Sequence, residues 1–308
     1  MRTKFLATAA VLACGMGTAV HAQERVSIAT GGTSGLFYII GAGIADQINA
    51  HMPDTTARAE VTGASVENIR RVAADQMTFG LSSASTLFDA TKGEGPFKDG
   101  VQNVSGMAYL YPAVLQVATV KSTGIDDFGD LAGKRINLGP PGSNSAVLGQ
   151  RIMEAHGVFD PNKVQFLSYS EGVAALTNGT IDATVVLAGA PTAALIDLDA
   201  QKDMVLLSLD KEAAESLTRE YPYYQTYEIA PGTYSDISEP VTAINDPATL
   251  FTKADADPAK IQGLMSAIFD HLDELAQVHP QAKAITLEAA PEMAVPLHPG
   301  AQAYFASK

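Results

Sequence analysis

The sequence predicts an α/β protein built of two lobes. Short β-branched runs alternate along the chain with stretches in which apolar residues recur every three or four positions, the pattern of strands alternating with amphipathic helices. Loops rich in Gly, Ser and Thr follow the strands in two groups, residues 30–85 and 139–191. Because ligands bind at the carboxyl edge of open α/β sheets, these groups predict two lobes that face each other across a cleft.

In the first group, each predicted strand leads through a polar loop into a helix. Val26–Ala29 is the first strand, and the helix after it has an apolar residue at every fourth position from Leu36 to Ile48. Two further units repeat the arrangement. Their strands are Ala57–Val61 and Phe79–Leu81, and their loops are Thr62–Ser65 and Ser82–Ser85.

The second group repeats this order. The strand Lys134–Leu138 leads through the loop Gly139–Ser145 into a helix that ends at Gly157. The strand Thr184–Leu187 ends in a loop of small residues and proline, Ala188–Pro191. Near the carboxyl terminus, the apolar spacing from Ile261 to Leu275 predicts one long amphipathic helix that ends before His279.

Residues 1–22 are predicted to be a cleaved signal peptide, so the mature protein is expected in the periplasm. Arg2 and Lys4 form a positive start, Phe5–Ala13 is apolar, and Val20–Ala22 ends in the small residue expected at a cleavage site. A membrane anchor is the alternative, but the apolar run is too short to cross a hydrocarbon core of about 30 Å.

Cleavage leaves 286 residues, enough for two ordinary domains. Cys14 departs with the signal, which excludes thiol catalysis, disulfides and cysteine-bound metals in the mature chain. The 18 basic and 34 acidic residues that remain give a net charge of −16. This charge disfavours nucleic acid and anionic membranes as partners.

Sequence motifs for catalysis are missing. The loop Gly31–Gly35 lacks the lysine of a phosphate-binding loop, and the chain contains neither G-x-G-x-x-G nor G-x-S-x-G. No H-E-x-x-H motif or EF-hand occurs. We therefore expect no enzyme activity, no cofactor and no metal site. The five histidines of the mature chain are interpreted as surface or helix-capping residues: His51, His156, His271, His279 and His298.

The remaining interpretation is a binding site made of hydroxyls, amides and backbone N–H groups. Helix starts leave N–H donors unpaired and carry partial positive charge, so they suit a carboxylate. The alternative is that the same Ser and Thr residues only cap helices. The aromatic segment Tyr221–Tyr227 either lines the cleft or packs over one lobe, and the sequence leaves both open.

Ordered motifs along the mature chain resemble the TAXI family, the solute receptors of tripartite ATP-independent periplasmic (TRAP) transporters. The resemblance implies a type II periplasmic-binding-protein fold, a ligand cleft between the lobes and delivery to an ion-driven permease. The motifs are Gly31–Tyr38, Thr62–Asn68, Leu110–Pro112, Gly133–Arg135, Gly139–Ser143, Ala188–Pro191, Leu206–Leu209, Tyr221–Pro222, Pro231–Tyr234 and Pro296–Gly300.

The resemblance also implies the lobe boundaries and the ligand class. Residues 23–118 and 232–308 would form lobe I and residues 119–231 lobe II, with hinges near Val117–Lys121 and Ile229–Tyr234. Relatives bind glutamate or related small carboxylates. Two acidic positions common in the family are Ser85 and Ala113 here, which favours a ligand without an amino group, such as a 2-oxo or dicarboxylic acid.

The function predicted is therefore capture of a small carboxylate by a monomer that delivers it to TRAP membrane subunits, which are expected to be fused in one chain. A ligand-sensing receptor for a membrane signalling partner is the alternative, and a secreted enzyme is the third reading. The anion is expected at the helix start Gly142–Ser145, with Arg151 contributing little. The predicted ligand-binding residues are Thr33, Ser34, Tyr38, Ser65, Ser83, Tyr111, Gly142, Ser143, Asn144, Ser145 and Gly189.

Overall fold

A computed structural model describes residues 23–33 and 35–308. The predicted signal peptide and the predicted site residue Ser34 lie outside the described residues. Among the described residues, no helix is both long enough and apolar enough to cross a membrane.

Strands and helices alternate along much of the chain as the sequence predicts, but three strands follow one another without an α-helix at residues 104–137 and again at residues 225–253. The strands are β1 (Glu24–Ala29), β2 (Thr55–Glu60), β3 (Phe79–Ser83), β4 (Val104–Tyr111), β5 (Val114–Val120), β6 (Ile136–Asn137), β7 (Val164–Gln165), β8 (Ala183–Ala188), β9 (Met204–Leu206), β10 (Gln225–Ile229), β11 (Val241–Asn245) and β12 (Ala248–Lys253). The helices are α1 (Leu36–His51), α2 (Ser65–Ala73), α3 (Ala84–Lys92), α4 (Asn144–Ala155), α5 (Tyr169–Thr177), α6 (Ala193–Asp199), α7 (Lys211–Glu220), α8 (Pro258–Phe269), α9 (Leu272–Leu275) and α10 (Pro299–Ala306).

The first sheet has the strand order β2-β1-β3-β12-β4. β1 runs parallel to both β2 and β3, whereas β12 is antiparallel to β3 and β4. One face of this sheet packs against α1, α8 and α10, and the other against α2 and α3. The carboxyl ends of β1, β2 and β3 therefore meet at one edge, where the polar loops of the first group lie.

Helix α1 forms because its apolar residues follow the helical period. Ile40, Ile44 and Ile48 are fully buried in the core of the first lobe. Burial of an isoleucine side chain contributes about 1.5–3 kcal/mol, which outweighs the low helix propensity of the β-branched residue. Gly43 lets the helix approach the 271–278 segment, since a Cβ there would lie 2.8 Å from Val278 Cγ2.

The second sheet has the order β10-β11-β5-β8-β6-β7, with β9 paired to β5. β6 is parallel to β7 and β8, while β5 is antiparallel to β8 and β11. Two clusters of buried residues pack around the strands, and they include residues from α4, α5, α6 and α7. The loops of the second group therefore also collect at one sheet edge.

The chain passes between the sheets twice, and the crossings differ from the predicted boundaries. It leaves the first sheet after Tyr111 and enters the second at Val114, then returns between Asn245 and Ala248. Residues 114–118, predicted for lobe I, therefore pair in the second sheet, as do residues 241–245. The reason for the difference is that a buried apolar strand carries no local signal of which sheet it joins.

The late helix is not continuous as predicted. Helix α8 ends at Phe269, and α9 begins only at Leu272. His271, which caps α9, has φ −129° and ψ 32°, outside the helical range. The Asp270 carboxylate just before the break accepts a hydrogen bond from Tyr304 Oη at 2.7 Å.

Candidate functional site

The two lobe edges meet through Asn144, the first residue of α4. Its Nδ2 donates to Ser85 Oγ at 2.9 Å and to Asp246 Oδ2 at 3.1 Å, and its Oδ1 accepts from Thr86 Oγ1 at 2.8 Å. Ser85 and Thr86 lie in the first turn of α3, in the first lobe. The Asn144 side chain, on the second lobe, therefore bonds both to the start of α3 in the first lobe and to Asp246, in the segment where the chain crosses back between the sheets.

Asp246 is the buried charge at this contact, and the sequence analysis did not identify it. Its carboxylate accepts from Ser85 N at 2.9 Å and from Ser85 Oγ at 2.6 Å, and its own N–H donates to Ala113 O at 2.9 Å. Burial raises the pKa of Asp246, although the hydrogen bonds from Ser85 and Asn144 lower it. Asp246 lies in an Asn-Asp-Pro segment, a composition typical of turns, which gives no reason to expect a buried acid.

Asn68, in the first turns of α2, connects the helix to the segments of β1 and β3. Asn68 Nδ2 donates at 2.7 Å to both Thr30 O and Leu81 O, and Asn68 Oδ1 accepts from Thr62 Oγ1 at 2.5 Å. Ser65 is buried, and its Oγ accepts from Ser83 N at 3.1 Å. The predicted site residues Ser65 and Ser83 are therefore close together, but the Ser65 oxygen is used within the lobe.

The start of α2 has an unusual backbone. Its N-cap residue Ala64 has φ 67° and ψ −150°, and no described side chain caps the helix. A non-glycine residue in this region is strained, typically by 1–3 kcal/mol, and such strain concentrates at binding sites. The strained residue lies beside Gly31, whose Cβ position would be 3.8 Å from Ala64 Cβ.

The loop that opens α1 is the most accessible part of the predicted site. Thr33 is exposed, Tyr38 is half-buried, and Gly35 N donates to Gly32 O at 2.8 Å in a tight turn. Gly35 is the N-cap of α1, and no described side chain bonds to the first turn. The Gly35 N–H is therefore used within the turn, and the exposed Thr33 presents a polar side chain in this loop.

At the start of α4, the serine hydroxyls that the sequence predicts as ligand contacts already take part in hydrogen bonds within the protein. Ser143 Oγ accepts from Ala146 N at 3.3 Å and lies 2.8 Å from Ser145 Oγ. Ser145 is buried. Gly142 is exposed with φ 71°, a conformation that glycine adopts without strain. Asn144 thus reaches out of the lobe, while the two serines bond within it.

A second contact between the sides involves Gly189. A Cβ on this residue would lie 2.4 Å from Gln281 Cδ, and Gln281 Nε2 donates to Ala190 O at 3.1 Å. Gln281 lies in a short 3-10 helix, Pro280–Ala284, that packs with the first lobe. Gly189 is therefore a close-approach position for the other lobe, and Gln281 was missed by the sequence analysis.

Tyr111 is a core residue rather than an open ligand contact. It is 1% exposed and packs with the first-lobe cluster of α1 and α8. Its hydroxyl has no hydrogen-bond partner among the described residues, and burial raises the Tyr111 pKa well above its usual range. The sequence predicts Tyr111 as a ligand contact at the cleft, but in the structure its ring lies inside the lobe.

Arg151 has a defined role that the sequence did not indicate. Nη1 donates to Tyr223 Oη at 3.0 Å and to Tyr224 Oη at 2.8 Å, and the guanidinium lies 4.3 Å from the Tyr221 ring centroid. Tyr223 in turn packs on Phe88 of α3 at 5.1 Å between ring centroids. The aromatic segment therefore packs over its own lobe and also touches the other.

Two cavities open elsewhere. One of about 280 Å³ lies between α3 and the segment before β10, and Tyr109, Tyr223 and Glu292 help to line it. The other, of about 440 Å³, lies at the amino-terminal end of the first sheet and includes Asp75 and Lys253. Among the described residues, none of those predicted to bind ligand lines either cavity. The candidate site is therefore the region where the edges of the two lobes meet, and neither cavity is part of it.

Comparison with solved structures identifies the fold as that of the two-lobed periplasmic binding proteins, as predicted. The aliphatic sulphonate binding protein of Escherichia coli aligns with a TM-score of 0.54 at 14% identity, over 92% of this chain and 79% of its own. A binding component of a phosphonate transporter from Pseudomonas aeruginosa gives 0.52 at 12% identity, over 86% and 80%. A protein from Bordetella bronchiseptica gives 0.54 at 17% identity, over 93% and 90%.

Sequence comparison adds the family. The model of the NMT1-like family matches residues 28–308, nearly the whole described chain. The chain therefore belongs to the NMT1-like family.

Proposed function

We propose that this protein is an exported solute-binding protein that captures a small carboxylate between its lobes and delivers it to a membrane transporter. The observation that carries the proposal is the bonding of Asn144, on the second lobe, to Ser85, Thr86 and Asp246 on the opposite side. A clamp binds its ligand by closing, and groups that bond across the lobe edges stabilise the closed form.

The anionic class of ligand is supported by the helix starts. No described side chain caps α1 or α6, both of which begin at the edge where the polar loops lie, whereas the start of α2 already has the Glu67 carboxylate in its first turn. Unpaired N–H groups and the helix dipole favour a negative group at such places. Among the predicted residues, Thr33 is exposed and Tyr38, Ser143 and Asn144 are half-buried, so these side chains are accessible enough to add contacts.

The hydrogen bonds of the Asp246 carboxylate favour one chemical class of carboxylate ligand over another. The Asp246 carboxylate is bonded to Ser85 twice and to Asn144 once, so its lone pairs are largely used within the protein. An ammonium group on the ligand would therefore lack a free carboxylate partner there. A 2-oxo or dicarboxylic acid fits this edge better than a glutamate-like ligand.

The partner proposed is the membrane component of a TRAP transporter, with the receptor acting as a monomer in the periplasm. This part rests on the ordered motifs that resemble the TAXI family. Two of the fold neighbours named above are binding proteins, one for aliphatic sulphonates and one from a phosphonate transporter, and those anions provide the competing ligand classes. A receptor for a membrane sensor is the second candidate, because it would use the same clamp.

A thermal-shift screen tests the proposal. The mature protein is heated with small 2-oxo acids, dicarboxylates and amino acids, and in parallel with matched alkanesulfonates, phosphonates and carboxamides. A ligand at one hundred times its dissociation constant adds about 2.7 kcal/mol to the free energy of unfolding, so a true ligand raises the melting temperature clearly. Stabilisation by carboxylates alone supports the proposal. Stabilisation by sulfonates or phosphonates, with no carboxylate active, contradicts it.

A further inference from the structure

Two histidines that lie far apart in the sequence meet on the surface of the first lobe. His51 ends α1, and His271 lies in the break between α8 and α9. Their rings stack with centroids 3.3 Å apart and planes within 2°. The close approach of α1 to the 271–278 segment at Gly43 explains how the fold brings them together.

Glu274, on α9, completes the cluster. Its Oε2 lies 3.1 Å from His51 Nε2, and its Oε1 lies 3.7 Å from His271 Nδ1. One ligand atom from each of the three residues lies within 4.8 Å of the others. The histidine side chains are 27% and 32% exposed, and Glu274 is 56% exposed, so an ion can reach them from solvent.

We propose that His51, His271 and Glu274 bind one divalent transition-metal ion of the zinc class. Two imidazoles and one carboxylate form a ligand set found in zinc sites, whereas calcium and magnesium prefer oxygen ligands only. Bond lengths near 2.0–2.2 Å require ligand atoms about 3.3 Å apart in a tetrahedron, and the distances on Glu274 already approach this value.

Binding requires one small rearrangement. In the stacked pair the nitrogen lone pairs lie in two parallel planes 3.3 Å apart, so one ion cannot lie in both planes. A turn of either half-exposed ring about its side-chain torsions lets both nitrogens point to the same ion. Rotamer changes of exposed side chains are fast and cost little.

A neighbouring glutamine supports the assignment. Gln47, one turn before His51 on α1, is 4% exposed, and its Nε2 donates to His271 O at 2.6 Å. Its Oε1 is buried without a hydrogen-bond partner among the described residues. A metal-bound water beside His271 would supply the donor that this oxygen lacks, because a bound ion with three protein ligands keeps a position for water.

The site is separate from the candidate ligand cleft. Helix α1 has 16 residues, so His51 lies about 24 Å from the start of the helix at the polar loops. An ion here would join α1 to α9 and stabilise the first lobe without touching the carboxylate. The outcome of a metal-binding experiment is therefore independent of whether the proposed transport function is correct.

Zinc titration of the mature protein tests the proposal. The protein carries no histidine tag and is stripped with a chelator, and binding is measured by calorimetry and by the optical spectrum of bound cobalt. The expected result is one ion per chain. His51→Ala, His271→Ala and Glu274→Gln should each weaken binding by at least about tenfold, since even outer-shell changes cost that much.

Asp273→Asn is the matched control, because Asp273 is an exposed acid next to the cluster but outside it. Its affinity for zinc should stay within about twofold of the unaltered protein. Far-ultraviolet circular dichroism of each metal-free variant verifies folding. Absence of zinc binding, or equal binding by the three cluster variants and the control, overturns the proposal and leaves a histidine–glutamate ion pair.

Discussion

Asn144 Nδ2 lies 3.1 Å from Asp246 Oδ2, so an amide at the start of α4 donates to a buried carboxylate in the segment that returns the chain to the first sheet. The same nitrogen lies 2.9 Å from Ser85 Oγ. Asn144, on the second lobe, thus completes the hydrogen bonding of the Asp246 carboxylate, which is also bonded to Ser85 of the first lobe. Opening the lobes would leave Asp246 with Ser85 alone.

Asn144→Ala is expected to weaken carboxylate binding about tenfold, because the closed form loses its hydrogen bonds to Ser85, Thr86 and a charged oxygen. Calorimetric titration measures the change. Asn178→Ala, at an exposed helix end of the second lobe, is the matched control and should bind normally. Equal affinities in the two variants would show that the bonds of Asn144 do not contribute to closure.

Ala64→Gly is expected to stabilise the protein by about 1 kcal/mol. Glycine adopts φ 67° without the Cβ strain that alanine carries there. Urea unfolding measures the free energy. Ala73→Gly, at the end of the same helix with ordinary geometry, should instead destabilise by about 0.5–1 kcal/mol. A loss of stability in both variants would mean that the backbone at Ala64 is not strained.

The buried His298 is expected to make the fold acid-sensitive. Its Nδ1 accepts from Gly300 N at 3.1 Å and its Nε2 lies 3.2 Å from Ala256 O, an arrangement that suits the neutral ring. Burial lowers the His298 pKa below 6.5. The unfolded chain therefore binds the proton first, and this stability is present above about pH 6.5 and is lost as the pH falls through the folded pKa.

His298→Asn tests whether protonation of His298 causes the loss of stability at low pH, because asparagine keeps an acceptor for Gly300 N but does not titrate. Chemical unfolding of both proteins at about pH 7 and about pH 5 gives the two differences in free energy. The variant should lose less stability on acidification than the unaltered protein. Equal losses would assign the acid sensitivity to other groups.

Ser143→Ala combined with Ser145→Ala is expected to weaken binding at least about tenfold, because it loosens the first turn of α4, which carries Asn144. Loss of the Ser143 cap should also cost about 1 kcal/mol of stability. Arg151→Ala should lower stability, through its bonds to Tyr223 and Tyr224, with little effect on affinity. Normal affinity in the serine variant with loss of binding in Arg151→Ala would assign the anion to the guanidinium.

Local features of the fold could be predicted from the sequence, since each depends on residues a few positions apart. The spacing of Ile40, Ile44 and Ile48 gave α1, and the loop composition gave the edge at which strands end. The break at Asp270 was missed, because helical spacing continues through it by chance.

The contacts that define the candidate sites could not be predicted in this way. Ser85 and Asp246 are separated by 161 positions, Ala190 and Gln281 by 91, and His51 and Glu274 by 223. Side-chain periodicity reports the face of an element and not its tertiary neighbour. Whether Ser65 or Ser145 faces a ligand or bonds within its lobe likewise depends on those neighbours.

The central claim is that the two lobes close on a carboxylate and leave it unchanged. Small-angle X-ray scattering of the mature protein, with and without the best carboxylate from the screen, measures it most directly, with mass spectrometry of the recovered ligand. The radius of gyration should fall on ligand addition, and the ligand should be recovered intact. A bound carboxylate that leaves the radius of gyration unchanged, or that is converted to a product, contradicts the account.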